Sequence, residues 1–314
     1  MKYIYKSLNF VITIIGVTII IFFCLSYMKT GSFELHHFFR DYSNWWKGIL
    51  KLDFGFSLKD QRPVFTKILE RIPATMTLNI ISLFVSFAIA IPISLFAVNS
   101  GHGKLRKSIE FFVNLLFSLP NFWIALVLSI FFGLQIGEIT NNLFGVTLRL
   151  PISGMKSLEI ALDPGNFSIF QRLYDQTLHL ILPVICASIF NIALIYSFFT
   201  TKLEEIMSQN FIKALKARGI PNRIILLKHA GKNAVFPLLT LLSLLVPAIL
   251  SSNFIIETIF SWPGIGRLGF DAIMTKDYPV VMGLSLITTI FVISFNFFIE
   301  LLYTILNPKL RRSR

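Results

Sequence analysis

The sequence predicts an all-α, polytopic membrane protein with about six transmembrane helices. Of its 314 residues, 54% are hydrophobic and only 14% are charged, and the mean hydropathy is +0.71. A soluble domain of this length does not need so large an apolar fraction to fill its core. A helix of about 20 mostly apolar residues crosses about 30 Å of hydrocarbon. The stretches that meet this requirement are Phe10–Met28, Met76–Val98, Phe111–Leu134, Leu178–Thr200, Ala234–Ile256 and Val280–Tyr303.

These spans divide the chain into a first span and a transmembrane core, with a long external loop between them. The first span follows Lys2 and Lys6 and lacks a small-residue cleavage site, so it is predicted to be a retained signal anchor. The predicted organisation is an N-terminal tail and span at 1–28, an external loop at 29–75, a transmembrane core at 76–303 with a cytoplasmic loop at 201–233 and an outer segment at 258–279, and a basic tail at 304–314.

The placement of basic residues predicts the orientation of the chain in a cytoplasmic membrane. With the N-terminus inside, more than half of the 29 Lys and Arg residues fall in the inner segments. Lys and Arg are enriched in cytoplasmic loops, so both termini are predicted to be cytoplasmic. The same placement accounts for the formal net charge of +13, and no nucleic-acid partner is needed to explain it.

A basic, helix-forming stretch at residues 209–237 interrupts the apolar core. In Asn210–Ile220, Phe211, Ile212 and Leu215 fall on one face of a helix, and Gly219 is predicted to end it. Lys213 and Lys216 are predicted to point away from that face. Two interpretations follow: a basic amphipathic helix on anionic lipid, or a cytoplasmic helix whose apolar side is buried in a partner protein.

Several segments resemble the permeases of dipeptide, oligopeptide and nickel ABC importers. "KALKARGI" and "LLKHAGKNAVFPLL" resemble the cytoplasmic loop of that family, and "SLPNFWIALVL" resembles its third span. "ETIFSWPGIGRLGFDAIMTKDYPVVMGL" matches the family pattern almost residue by residue, and the resemblance covers nearly the whole chain. One difference is a shortened first external region without the usual "PGDP" segment, which predicts different contacts with an external binding protein.

The resemblance implies a type I ABC importer permease that forms half of a translocation pathway. A second homologous permease, two ATP-binding subunits and an extracellular solute-binding protein are the implied partners. ATP and Mg²⁺ would be held by those ATP-binding subunits, and no cofactor is expected in this chain. Di- and oligopeptides are the first substrate prediction, with nickel or a metal chelate as the alternative. The predicted contacts with the ATP-binding subunit are Phe211, Ile212, Ala214, Leu215, Ala217, Arg218 and Gly219.

The segment Phe260–Ile273 is too polar and glycine-rich to span a membrane. Trp262 is predicted to be an anchor at the membrane interface, and Pro263-Gly264 is predicted to form a turn. By analogy with the family, these three residues are assigned to an outer gate in a re-entrant or interfacial segment. A plain external loop is the alternative.

Other motifs do not support chemistry in this chain. "GHGKLRKS" has Val98 where a Walker A loop needs glycine and Leu105 where it needs Ser or Thr. The adjacent His36 and His37 are interpreted as solvated side chains, with a transition-metal site as the alternative; no metal site is predicted. A secondary transporter would be expected to contain inverted repeats, and an intramembrane enzyme would need paired catalytic groups. The sequence contains neither feature.

Thiol labelling in intact cells tests the predicted orientation. In a variant without Cys24 and Cys186, a cysteine at Lys104 or Lys216 should resist a membrane-impermeant thiol reagent. A cysteine at Lys47 should react, because that position is predicted to be external. The reverse labelling pattern would overturn both the orientation and the cytoplasmic position of the basic helix.

Overall fold

The computed structural model describes residues 2–30, 35–101, 103–145 and 149–306. Across these ranges the chain is helical and contains no β-strand, apart from an isolated bridge between Phe56 and Pro63. The chain divides into two compact units. Unit 1 holds Met1–Thr75 and Pro263–Phe298, and unit 2 holds Met76–Trp262 and Ile299–Arg314.

The helices confirm the prediction of an all-α polytopic membrane protein. Five helices in the described ranges are long and apolar enough to cross a membrane, and Val11–Cys24 is a shorter apolar helix. The five are Val64–Asn99, Asn121–Phe144, Ile169–Met207, Asn222–Leu250 and Tyr278–Tyr303.

Unit 1 is built around the first helices of the chain and two later ones. Its apolar core includes Val64, Ile68 and Val280, each fully buried, together with Leu284. Its helices are α1 (Lys2–Thr30), α2 (Leu35–Ile49), the beginning of α3 (Val64–Asn99), α12 (Ile265–Met274) and most of α13 (Tyr278–Leu306).

The predicted external loop at 29–75 contains helical structure, namely α2 and the first turns of α3. Helix α2 is amphipathic, and its aromatic residues recur at helical spacing. The ring of Phe22 on α1 lies 5.4 Å from the rings of both Phe38 and Tyr42 on α2. The hydroxyl of Tyr42 lies 2.9 Å from that of Thr18. These contacts hold α2 against α1.

Unit 2 contains the rest of α3 and the helices from α4 to α11. Small polar residues bring α3 and α8 close together: Ser86 Oγ donates to the Ser188 carbonyl at 3.3 Å, and Ser188 Oγ to the Ser82 carbonyl at 3.1 Å. Its helices are α4 (Lys104–Ser118), α5 (Asn121–Ile130), α6 (Ile136–Phe144), α7 (Leu158–Leu162), α8 (Ile169–Met207), α9 (Asn210–Ala217), α10 (Asn222–Ile224) and α11 (Lys232–Ile259), with π-helical turns at Phe131–Gln135 and Ile225–Gly231.

The predicted third span, Phe111–Leu134, is not one continuous helix. It is interrupted at Leu119 and Pro120, whose ψ angles of 132° and 134° are extended. A residue before proline is disfavoured in the helical region by contact with the proline ring, so α4 ends at Ser118. The membrane-length helix therefore begins at Asn121.

Helix α8 extends well beyond the predicted span Leu178–Thr200, because polar groups rather than hydropathy determine where it begins. The Ser168 hydroxyl accepts from the Gln171 N–H at 3.3 Å, and the Gln171 side chain accepts from the Ser168 N–H at 2.9 Å. This reciprocal capping box satisfies two N–H groups at the start of the helix.

A substitution at Gly283 on α13 tests the packing of unit 1. A Cβ atom at this position would lie 2.9 Å from Val64 Cγ1 and 3.1 Å from Phe54 Cδ1. Gly283→Ala should therefore lower the stability of the purified protein in detergent by about 1–3 kcal/mol, the usual cost of overpacking. The measurement is thermal unfolding.

Gly269→Ala is the matched control, because its Cβ would make an ordinary contact of 3.5 Å with Leu284 Cδ1. Equal unfolding temperatures for the two variants would contradict this description of the packing.

Candidate coupling site

The basic helix α9 begins where α8 ends, after a sharp change of direction. The Ser208 N–H donates to the Glu204 carbonyl at 3.1 Å, and the Ser208 hydroxyl to the Glu205 carbonyl at 2.8 Å. Gln209 is extended, with φ −70° and ψ 153°, and its carbonyl accepts the N–H of Ile212. The chain therefore enters α9 through a short, hydrogen-bonded corner.

The other end of α9 is closed by a Schellman motif. The Gly219 N–H donates to the Lys216 carbonyl at 2.9 Å, and the Ile220 N–H to the Leu215 carbonyl at 3.3 Å. Gly219 has φ +76°, a conformation that glycine adopts without steric cost. The prediction that Gly219 ends this helix is confirmed. A Cβ at this position would meet no atom of the chain within 4 Å.

Ile212 anchors α9 to the rest of unit 2. Its side chain is fully buried, as is that of Ile225 in the adjacent π-helical turn Ile225–Gly231, which α9 contacts. The prediction that Ile212 is available to another subunit is therefore corrected. Leu215 is half-buried. Because an eight-residue helix has little stability of its own, this internal contact is needed to hold it.

The opposite side of α9 is exposed, and we call it the exposed face: Phe211, Ala214, Ala217 and Arg218. These residues recur at spacings of three and four, so they lie on one side of the helix. Phe211 is the large apolar residue of this face and is 41% exposed. Lys213 and Lys216 are exposed, as predicted. The exposed face thus presents two small alanine side chains, one aromatic ring and one guanidinium group.

An ion-pair network joins α4 to α8 close to this corner. Arg106 Nε lies 2.7 Å from Glu110 Oε1, and Arg106 Nη1 contacts Glu204 Oε1. The hydrogen bond that Arg106 donates to Glu204, and then the one that it donates to Glu110, raise the pKa of its guanidinium. Sequence reasoning missed this network. The spacing of Arg106 and Glu110 is a usable signal, but the third partner, Glu204, is distant in sequence.

The outer segment differs from its prediction in two respects. Trp262 is fully buried, so the prediction that it anchors the chain at the membrane interface is wrong. Its N–H donates to the Glu257 carbonyl at 2.8 Å, and Ser261 before it has φ +50°. The chain turns at Phe260 and Ser261, whereas Gly264 is extended, with φ −98° and ψ −177°, and precedes α12, so the predicted turn at Pro263-Gly264 is corrected. A plain loop is therefore excluded for residues 265–274.

The suggested metal site at His36 and His37 falls on side chains outside those that the structure describes. Their backbone belongs to α2. Across the described part of the chain, no group of three or more His, Cys, Asp and Glu residues is placed to hold a metal ion.

The chain thus combines membrane-length helices with a short helix fixed between two of them. Residues 90–312 match the family described as the inner membrane component of binding-protein-dependent transport systems. This chain belongs to that family, and it is therefore an inner-membrane permease of the ABC importer type.

Named relatives and one solved structure are similar to most of the chain. The oligopeptide transport system permease AppB of Bacillus subtilis is 27% identical, over 86% of this chain and 79% of its own length. The dipeptide transport system permease DppB of Escherichia coli K12 is 28% identical, over 88% and 81%. DppB of Alkalihalophilus pseudofirmus is 32% identical, over 86% and 80%. The inward-facing MetNI methionine ABC transporter has a TM-score of 0.55 at 15% identity, over 76% of this chain and 96% of that chain, which shows a shared fold.

Proposed function

We propose that this chain forms half of the translocation pathway of an ATP-driven importer in the bacterial cytoplasmic membrane. A second homologous permease forms the other half, two ATP-binding subunits supply the energy, and an extracellular solute-binding protein delivers the cargo. ATP and Mg²⁺ bind to the ATP-binding subunits. Both termini lie in the cytoplasm, as the distribution of basic residues favours.

The observation that carries this proposal is the two-sided environment of α9. Ile212 is buried inside the chain, whereas Phe211 beside it is 41% exposed. A helix attached through one side and exposed through the other suits transmission of movement from a neighbouring protein to the spans. We assign the exposed face to contact with the ATP-binding subunit, with Phe211 entering an apolar groove. Leu215 and Gly219 contribute indirectly, because both belong to the Schellman motif that ends the helix.

The outer segment contributes to the gate on the other side of the membrane. Trp262 does so as a buried residue directly after the turn at Phe260 and Ser261, and Pro263 and Gly264 lead from it into α12. This role replaces the predicted interface anchor.

Di- or oligopeptides are the proposed cargo. The relatives named above are permeases of dipeptide and oligopeptide transport systems, and each aligns with more than four-fifths of this chain. Nickel or a metal chelate, carried by the same machinery, is the alternative cargo. Competition for uptake of a labelled dipeptide by unlabelled peptides or by Ni²⁺ distinguishes the two.

Variants of α9 test the docking role. Phe211→Asp places a charge on the exposed face and should weaken association with the ATP-binding subunits, since a charge is costly to bury. Gly219→Val should permit assembly but greatly lower coupled ATP hydrolysis and uptake. A β-branched residue at positive φ is strained by about 1–2 kcal/mol. The measurements are pull-down and ATPase activity of the reconstituted complex.

Two further variants separate docking from folding and from lipid attraction. Lys213→Ala removes an exposed charge away from Phe211 and should change little. Ile212→Ala should destabilise the chain itself by about 2–5 kcal/mol, as expected for truncation of a buried side chain. If Lys213→Ala is damaging while Phe211→Asp is silent, attraction to anionic lipid holds the helix and the docking role is wrong.

A further inference from the structure

A buried carboxylate fixes the corner between α12 and α13. Asp277 is only 2% exposed, and its Oδ2 accepts a hydrogen bond of 2.5 Å from Ser57 Oγ. Its Oδ1 accepts one of 3.0 Å from the Leu58 N–H. The Asp277 N–H in turn donates to the Ala272 carbonyl at 2.8 Å, which closes the end of α12. One side chain therefore joins the corner to the segment before α3.

That segment is itself held to α3. Lys67 Nζ on α3 donates to Ser57 Oγ at 2.9 Å and to Asp60 Oδ2 at 2.9 Å. The hydrogen bond from Lys67 lowers the pKa of Asp60 to about 2, so this carboxylate stays ionised at any pH of ordinary growth. We call Ser57, Asp60, Lys67 and Asp277 the outer clasp.

The beginning of α12 is fastened to the same helix. The Ile265 N–H, the first of α12, donates to Thr75 Oγ1 on α3 at 2.8 Å, and Thr75 is buried. First-turn N–H groups have no acceptor within their own helix, so this bond satisfies one of them. Helix α12 is thus attached to α3 at its start through Thr75 and near its end through the outer clasp.

We propose that α12 stays fastened to the outer end of α3 throughout transport, and that Asp277 is the positioning residue that keeps it there. The outer segment then moves together with α3 and does not lift from it as a lid. Separation would leave a buried carboxylate without its donors, which is costly inside a protein. This inference rests on the proposed importer function, since it concerns movement during transport.

A removable covalent link tests the proposal. In the complete importer without Cys24 and Cys186, the reduced double variant Ser57→Cys, Asp277→Cys lacks the carboxylate. Its uptake of a labelled dipeptide should be about tenfold slower than that of the cysteine-free parent, the size expected when hydrogen bonds to a charged group are lost. Oxidation to the disulfide, or bridging by a short bifunctional thiol reagent, should restore uptake, because the link replaces the clasp.

Controls separate fastening from other roles of Asp277. The two single-cysteine variants cannot form the link, so oxidation should leave the uptake of each unchanged. Arg62→Gln breaks an exposed pair with Glu70 beside the clasp and should leave uptake near that of the parent. The proposal is overturned if the linked protein stays slow, if it stops transporting, or if residues 57 and 277 resist linking by either reagent.

A second measurement does not depend on the cargo. Spin labels at Leu69 on α3 and Ile273 on α12, both exposed, should keep one distance in nucleotide-free and ATP-bound complexes. A change of several ångströms between these states would contradict the proposal. Failure of the cysteine-free parent to take up any dipeptide would instead count against the proposed cargo, and the spin-label distance would still test the fastening.

Discussion

The arrangement of the coupling site depends on the packing of the buried Ile212 side chain against the rest of unit 2. Helix α9 has only eight residues, too few to be stable alone in water. Its position is set by Ile212 against the π-helical turn that precedes α11, by the corner at Ser208, and by the closure at Gly219. Because these attachments use one side of the helix, the side with Phe211 is left exposed. The amphipathic pattern of α9 thus explains both the attachment of the helix through one side and the exposure of its other side.

Much of this fold could be predicted because its signals are local. Membrane-length apolar stretches predicted the spans, and a glycine after a short amphipathic helix predicted the closure at Gly219. The break at Leu119–Pro120 also had a local signal, which is the proline itself. Hydropathy stays high across this position, however, and predicted one continuous helix. Hydropathy measures the preference for lipid, whereas proline geometry decides whether one helix can continue.

The features that sequence reasoning missed depend on residues that are distant along the chain. Tryptophan is a residue type that often anchors a chain at the membrane interface, yet packing buries Trp262 completely. Ile212 and Phe211 are neighbours of similar hydrophobicity, and periodicity placed both on one apolar face. Packing of α9 against the π-helical turn Ile225–Gly231 determines which of them is internal. The contact between Arg106 and Glu204 likewise joins two residues that lie almost a hundred positions apart in the sequence.

On each predicted side of the membrane a short helix is fixed to a long one, but by a different kind of contact. On the predicted inner side a helix is fixed by an apolar contact, and on the predicted outer side α12 is fixed by a buried carboxylate and a threonine hydroxyl. Both arrangements attach a short helix to a long one, which allows a movement to pass between them without a flexible joint. A short element that is fixed in this way moves with its span.

Site-specific photo-crosslinking from α9 tests the central claim most directly. A photoreactive phenylalanine analogue at Phe211 or Ala214, in the assembled complex in membranes, should form a covalent adduct with the ATP-binding subunit. The same analogue at Lys213 should not, because at helical spacing that side chain points away from Phe211. Adducts with lipid alone at Phe211, or with the ATP-binding subunit only at Lys213, would contradict the account.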